Sequence, residues 1–133
     1  MPPLTAAKTS PVNHTMLYIE DHAVTRRLVE IMLLKFRPQI ALRLAANARD
    51  GVQAAIDERP GLILLDNRLP DATAGEVLRQ LASSEATAGI PVIVISGDSA
   101  KTGDELLAIG ASEFLPKPFD IDQLVIMIDR YIH

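Results

Sequence analysis

The sequence predicts an α/β fold, a five-stranded parallel sheet with helices on both faces. Three observations predict it. Strand-length apolar runs alternate with amphipathic segments five times in succession. Several of these runs are continuously apolar, as strands buried on both faces require. The core is aliphatic, because 48% of the 133 residues are apolar while only 4% are aromatic and none is Trp.

The elements follow in order. Met16-Leu17-Tyr18-Ile19 is a first strand that stops at Glu20-Asp21. A helix runs from His22 to Phe36 with Val24, Leu28, Ile31 and Met32 on its core face, and Pro38 breaks it. Ile40, Leu42 and Leu44 alternate around Arg43, which suits a strand wet on one side at a sheet edge. Arg49 to Glu58 is a second helix, with Val52, Ala55 and Ile56 inward and Pro60-Gly61 at its end. Leu62-Ile63-Leu64-Leu65 is a buried strand that Asp66 terminates. A loop from Asn67 to Ala74 leads to a short helix, Gly75 to Ser83, carrying Val77, Leu78 and Leu81. Pro91 introduces Val92-Ile93-Val94-Ile95, which ends in Ser96-Gly97. Ser99 caps a helix through Ile109, and Gly110 stands where a helix-ending glycine belongs. Glu113-Phe114-Leu115 is the last strand, and Asp120 caps a final helix to Ile132. There are no internal repeats and no low-complexity segments.

Composition narrows the function classes. The formal charge of −4, with no basic cluster beyond Arg26-Arg27, argues against direct contact with nucleic acid. That arginine pair reads as a solvated helix face. The absence of cysteine excludes a disulfide framework, a thiolate metal site and Cys nucleophile chemistry, and it fits a cytoplasmic location. No apolar run approaches a membrane span. Residues 1–14 hold three prolines and no apolar signal region, so they read as a flexible extension before a domain over 15–133.

The informative feature is where the polar residues fall. Apolar strands end in Glu20-Asp21, Asp66 and Ser96, and Lys117 follows the last strand. In a parallel sheet these ends share one edge, which is where ligands bind in open α/β sheets. Three carboxylates, a hydroxyl and an ammonium therefore converge. Such carboxylates repel unless protonated or bridged by a cation, and a hard divalent ion such as Mg²⁺ is the natural bridge. A metal and a lysine around one carboxylate form a cradle for a transferring phosphoryl group. Each residue alone has an ordinary reading: Asp66 as a turn residue, Glu20-Asp21 as favouring a helix dipole, Ser96-Gly97 as a turn, and Lys117 as a surface lysine. Together those readings need four coincidences on one sheet edge.

Four stretches carry a resemblance to the response-regulator receiver domains of two-component signalling: Leu17 to Asp21, Leu62 to Asp71, Pro91 to Gly97, and Gly110 to Phe119. It covers about residues 15 to 132. The resemblance implies a flavodoxin-like sheet of order 2-1-3-4-5. It makes Asp66 the phosphorylated residue, and Glu20, Asp21, Asp66 and the backbone carbonyl of Arg68 the ligands of Mg²⁺ or Mn²⁺. Ser96 and Lys117 would contact the phosphoryl group, Ser96 and Phe114 would form the switch, and the Lys117-Pro118 bond would be cis. The implied partner is a sensor histidine kinase or histidine phosphotransfer protein. Output would pass through the fourth helix, fifth strand and fifth helix to a downstream protein or a homodimer, with no nucleic acid or membrane contacted.

One departure concerns the loop after the acceptor. Family members usually carry a glycine four residues beyond the proline equivalent to Pro70, whereas Asp71-Ala72-Thr73-Ala74 precede Gly75 here. The loop reads one residue longer, which bears on phosphatase access and phosphoryl lifetime. Arg68 and Asp98 are the candidates for tuning that lifetime; Arg68 either lies over the acceptor, pairs with an acid, or faces solvent. On the last helix, Ile121, Leu124, Val125, Ile128 and Ile132 form a core stripe, while Ile126 and Met127 fall away from it as a candidate interface. The chain is expected to be a stand-alone, non-enzymatic acceptor, capable at most of self-phosphorylation from small donors and self-dephosphorylation. Two alternatives stand beside this: a receiver-like adaptor independent of phosphorylation, and a small Mg²⁺-dependent aspartyl phosphohydrolase.

Overall fold

Alternation along the strands decides the architecture. Each strand places successive side chains on opposite faces, so a strand apolar at every position needs a covering layer on each side. The computed structural model describes residues 13–132 and has that arrangement. Its elements are β1 (Thr15–Ile19), α1 (Ala23–Phe36), β2 (Ala41–Ala45), α2 (Ala48–Glu58), β3 (Leu62–Asp66), α3 (Ala74–Ala82), β4 (Val92–Ser96), α4 (Ala100–Ile109), β5 (Glu113–Pro116) and α5 (Ile121–Asp129). The strands pair in parallel in the order β2-β1-β3-β4-β5, which bears out the expected sheet. No described helix is long and apolar enough to cross a membrane.

Two cores lie on opposite sides of the sheet. On one, Leu17, Ile19, Ile63, Leu65 and Val94 pack against Ala54 and Ala55 of α2, Val77, Leu78 and Leu81 of α3, and Leu106 of α4. On the other, Met16, Tyr18, Leu62, Leu64, Ile93, Ile95 and Leu115 pack against Val29, Met32 and Leu33 of α1 and Leu124 and Ile128 of α5. Arg37, just beyond α1, closes this second side by donating from Nε and Nη2 to Asp129 Oδ1 and Oδ2 at 2.8 and 2.6 Å.

The core face of α1 differs from the one expected. Val24 and Leu28 are 63% and 62% exposed, and Ile31 is exposed as well; Met32 is buried as expected, with Val29 and Leu33 beside it. The helix is apolar on most of its circumference, so two stripes satisfy helical periodicity equally well. Arg26 lies on the same side as Val29 and Leu33, and its Nη1 donates to the carbonyl of Glu20 at 2.7 Å. That bond ties the helix to the end of β1 on the observed face. In α5, Leu124 and Ile128 are buried as expected, but Ile121 is exposed. Ile126 is exposed, whereas Met127 is half-buried against the second core and belongs only partly to an open surface. The helix itself ends at Asp129.

The third helix also begins one residue earlier than expected. Thr73 and Glu76 form a reciprocal capping box that starts α3 at Ala74, so Gly75 lies inside the helix and does not mark the end of the loop. At the other end of the chain, residues 1–12 of the expected extension lie outside the described residues. Asn13 and His14 are bonded to the domain: Asn13 Nδ2 donates to the carbonyl of Arg59 at 2.9 Å, and Ala41 N–H donates to the carbonyl of His14.

The helix starts behave as their sequences suggest. Ser99 accepts from Thr102 N–H, and Asp120 forms a capping box with Gln123. At α2 the backbone passes so close to β1 that a Cβ on Gly51 would lie 2.5 Å from Cδ1 of the fully buried Ile19. Gly51→Ala gains helix propensity of about 1 kcal/mol. We expect the overpacking, typically about 1–3 kcal/mol, to dominate and give net destabilisation in urea unfolding. A variant as stable as the wild type would show that Ile19 can yield.

Candidate functional site

The carboxyl edge of the sheet forms an open cleft of about 610 Å³. Its floor follows from strand alternation. Tyr18 and Glu20 share one side of the β1 line, Leu64 and Asp66 share that side in β3, and Leu115 and Lys117 share it at β5. Glu20, Asp66 and Lys117 therefore rise from the second core into one space. Ser96 ends β4 on the opposite side, and Asp21 stands at the rim with His22 and Thr25.

Carboxylate oxygens of Glu20, Asp21 and Asp66 lie within 4.8 Å of one another. Lys117 Nζ is 3.4 Å from Asp66 Oδ1 and 3.8 Å from Glu20 Oε1. Glu20 is only 2% exposed. Burial pushes its carboxyl up from the ordinary range, opposed by a hydrogen bond from His22 N–H to Oε2 at 3.2 Å. The nearby charge of Asp66 raises it further, and Lys117 opposes the shift. This all-oxygen donor set, rich in negative charge and free of sulfur, fits a hard divalent cation.

A second network lines the opposite wall. Asn67 Nδ2 donates to Ser96 Oγ at 3.2 Å and also to Asp98 Oδ2. Asp98 N–H donates to the same Ser96 Oγ at 2.9 Å, which fixes the hydroxyl oxygen. Arg68 pairs with Asp98, Nη2 to Oδ1 at 2.8 Å, so of the three expected placements it takes the acid, with its side chain still 82% exposed. That bond holds the Asp98 carboxyl below its usual range. The Lys117-Pro118 bond is cis, as the resemblance implies. Phe114, paired with Val94 two residues before Ser96, is half-buried with its ring over Gly103 of α4, where a Cβ would come within 2.7 Å.

Three contributors were not picked out from the sequence. Asn67 adjoins Asp66, and only the tertiary structure places it against Ser96 and Asp98. Tyr18 lies two residues before Glu20 on the same side of the strand, and its hydroxyl donates to Glu20 Oε1 at 3.3 Å. The strand period was the signal that could have found it. Asp71 secures the loop after Asp66: Oδ1 and Oδ2 accept from the N–H groups of Ala48 and Arg49 at 2.8 and 3.0 Å. Asn47 accepts from Asp50 N–H, so three of the open donors at the start of α2 are satisfied. Arg68 and Thr73 form an antiparallel bridge across the same loop.

Comparison with known proteins agrees with this geometry. The family model described as the response regulator receiver domain matches residues 16–129. The phosphate regulon transcriptional regulatory protein PhoB of Pseudomonas aeruginosa is 30% identical over 115 residues, which are 86% of this chain and 49% of that protein. The chain spans about half or less of the length of such curated relatives. Among solved structures, the receiver domain of sensor histidine kinase PA1611 from P. aeruginosa carries a magnesium ion coordinated in its active site cleft. It superposes with a TM-score of 0.79 at 26% identity, covering 88% of this chain and 95% of that one. The chemotaxis response regulator CheY4 of Vibrio cholerae has a TM-score of 0.80 at 23% identity, covers 89% of this chain and 98% of its own, and speaks to the fold alone.

The two backbone bonds lower the Asp71 carboxyl below its ordinary value. A lowered folded-state value stabilises the fold fully above about pH 4, and the gain disappears as pH falls through the lowered value. Asp71→Ala should therefore melt below the wild type at neutral pH, with the gap closing in acid. A gap of constant size from pH 7 to pH 2 would disprove the electrostatic part of this account.

Proposed function

The chain belongs to the response regulator receiver domain family of two-component signalling, and from that premise we propose that Asp66 accepts a phosphoryl group from a phosphohistidine on a partner protein. The observation that carries the reading is the convergence of Glu20, Asp21 and Asp66 within 4.8 Å, with Lys117 beside Asp66. The partner class is a sensor histidine kinase or a histidine phosphotransfer protein. Glu20, Asp21 and Asp66, with the backbone carbonyl of Arg68, would hold Mg²⁺, the ion found in the cleft of the PA1611 receiver domain. When bound, the ion supplies positive charge that offsets the mutual repulsion of the acids and the charge on the phosphoryl oxygens.

The residues of the chain do the rest. A carboxylate oxygen of Asp66 forms a bond to phosphorus as the bond from phosphorus to the histidine nitrogen breaks. The departing imidazole keeps that electron pair and takes a proton from water. Lys117 Nζ, 3.4 Å from Asp66, is placed to hold a phosphoryl oxygen. The added oxygens make the modified side chain a stronger hydrogen-bond acceptor, and the Ser96 hydroxyl turns to donate to one of them. That movement frees space on the side of Phe114, whose ring turns inward. The population then shifts toward a second arrangement of α4, β5 and α5, the surface a downstream protein or second copy would read. Among the described residues nothing caps the cleft, and 610 Å³ open to solvent suits a protein donor better than an enclosed small phosphoester. We therefore read the domain as an acceptor with at most self-phosphorylation and self-dephosphorylation.

Acetyl phosphate with Mg²⁺ should give one phosphoryl adduct by intact mass. EDTA or Asp66→Ala should abolish it. Continued labelling of Asp66→Ala would refute the assignment. Sustained turnover of varied phosphoesters by the wild type would favour a phosphohydrolase instead.

A further inference from the structure

We infer that Tyr18 is a positioning residue for the cation site, holding the Glu20 carboxylate from beneath through its phenol hydroxyl; this deepens the function proposed above and rests on it. Tyr18 is wholly buried in β1, surrounded by the aliphatic side chains of the second core. A phenol there is costly unless its hydroxyl finds a partner. The partner is Glu20 Oε1 at 3.3 Å, itself buried.

The effect is a division of labour around Glu20. Oε2 accepts from His22 N–H, and Oε1 accepts from Tyr18. Both of these donors are neutral, so they orient the carboxylate without cancelling its charge, which stays available to a cation. Of the nearby cationic groups, Arg26 is engaged on the main-chain carbonyl of Glu20, and Lys117 sits closer to Asp66 than to Glu20, at 3.4 against 3.8 Å. Without the phenol, Oε1 would lose its neutral donor and draw on Lys117. Glu20 would then be neutralised from within, and Lys117 would be pulled from Asp66. Tyr18 thus keeps the lysine for the acceptor and the glutamate for the metal.

Tyr18→Phe removes the hydroxyl and little else. The full chain, unphosphorylated, is titrated with Mg²⁺ by calorimetry, alongside Tyr131→Phe and the packing variant Ile93→Val. Loss of a hydrogen bond that holds a metal-ligand carboxylate should weaken Mg²⁺ binding by roughly 10- to 100-fold in Tyr18→Phe. Tyr131→Phe should bind as the wild type does. Ile93→Val should melt earlier with unchanged affinity. Because the chain has two tyrosines and no Trp, tyrosine emission gives a second reading. Mg²⁺ should alter emission in the wild type and in Tyr131→Phe but not in Tyr18→Phe. If Tyr18→Phe proves too unstable to titrate, an Mg²⁺-induced change surviving in Tyr131→Phe supports the inference and its absence overturns it. Wild-type binding matched or exceeded by Tyr18→Phe, or an equal loss in Ile93→Val, overturns the inference and leaves the phosphoacceptor reading standing. A wild type that binds no Mg²⁺ overturns both.

Discussion

Crowding of negative charge at one sheet edge is the constraint around which this domain is organised. Three carboxylates whose oxygens lie within 4.8 Å repel one another strongly, more so where burial removes water from Glu20. The surrounding polar groups answer that repulsion. His22 N–H and the Tyr18 hydroxyl hold Glu20, Lys117 attends Asp66, and Arg26 binds the Glu20 carbonyl. The parallel sheet creates the difficulty by bringing the strand ends together, and it also supplies the remedy, since Lys117 arrives by the same route as the acids it faces.

Much of this was readable from the chain. Continuous apolar runs identify β1, β3 and β4, and parallel winding then forces Glu20, Asp21, Asp66, Ser96 and Lys117 to meet although 97 residues separate the first from the last. What sequence left open had a common physical character. The core face of α1 departs from the expected stripe at Val24, Leu28 and Ile31 because a helix apolar on most sides carries no periodic signal that selects one stripe. Tertiary contacts distinguish the stripes: Val29, Met32 and Leu33 pack on the sheet, and Arg26 bonds the Glu20 carbonyl on the same side. Gly75 suggests a start for α3 one residue late, whereas the Thr73–Glu76 box, a stronger local signal, sets it. Asp71 looks like an ordinary loop acid, and nothing in its neighbourhood reveals a helix start 23 residues upstream.

The two walls of the cleft are built differently. One joins β1 to α1 and is anchored by His22 N–H on the Glu20 carboxylate and by Arg26 on the Glu20 carbonyl. The other joins β4 to α4 and is held on the Ser96 hydroxyl, by the Asn67 side chain and the Asp98 N–H, with Arg68 paired to Asp98. Arg68 is largely exposed, so its pairing is screened by salt and contributes modestly to stability. Its importance lies in position, because it couples the loop after Asp66 to the turn after Ser96.

The clasp of Asp71 on the first two amides of α2 makes the cleft asymmetric in a mechanical sense. That loop is anchored at a distance from the chemistry, by bonds that oxygens added at Asp66 do not compete for. The bonds locating Ser96 run through Asn67 and Asp98, inside the cleft where new oxygens would arrive. Under the proposed phosphorylation, a change of charge at Asp66 would meet a clasp on the α2 side that it does not touch and, on the β4 side, bonds it can exchange with. Displacement would then run toward β4 and β5 and away from α2, a direction set by how the two loops are held.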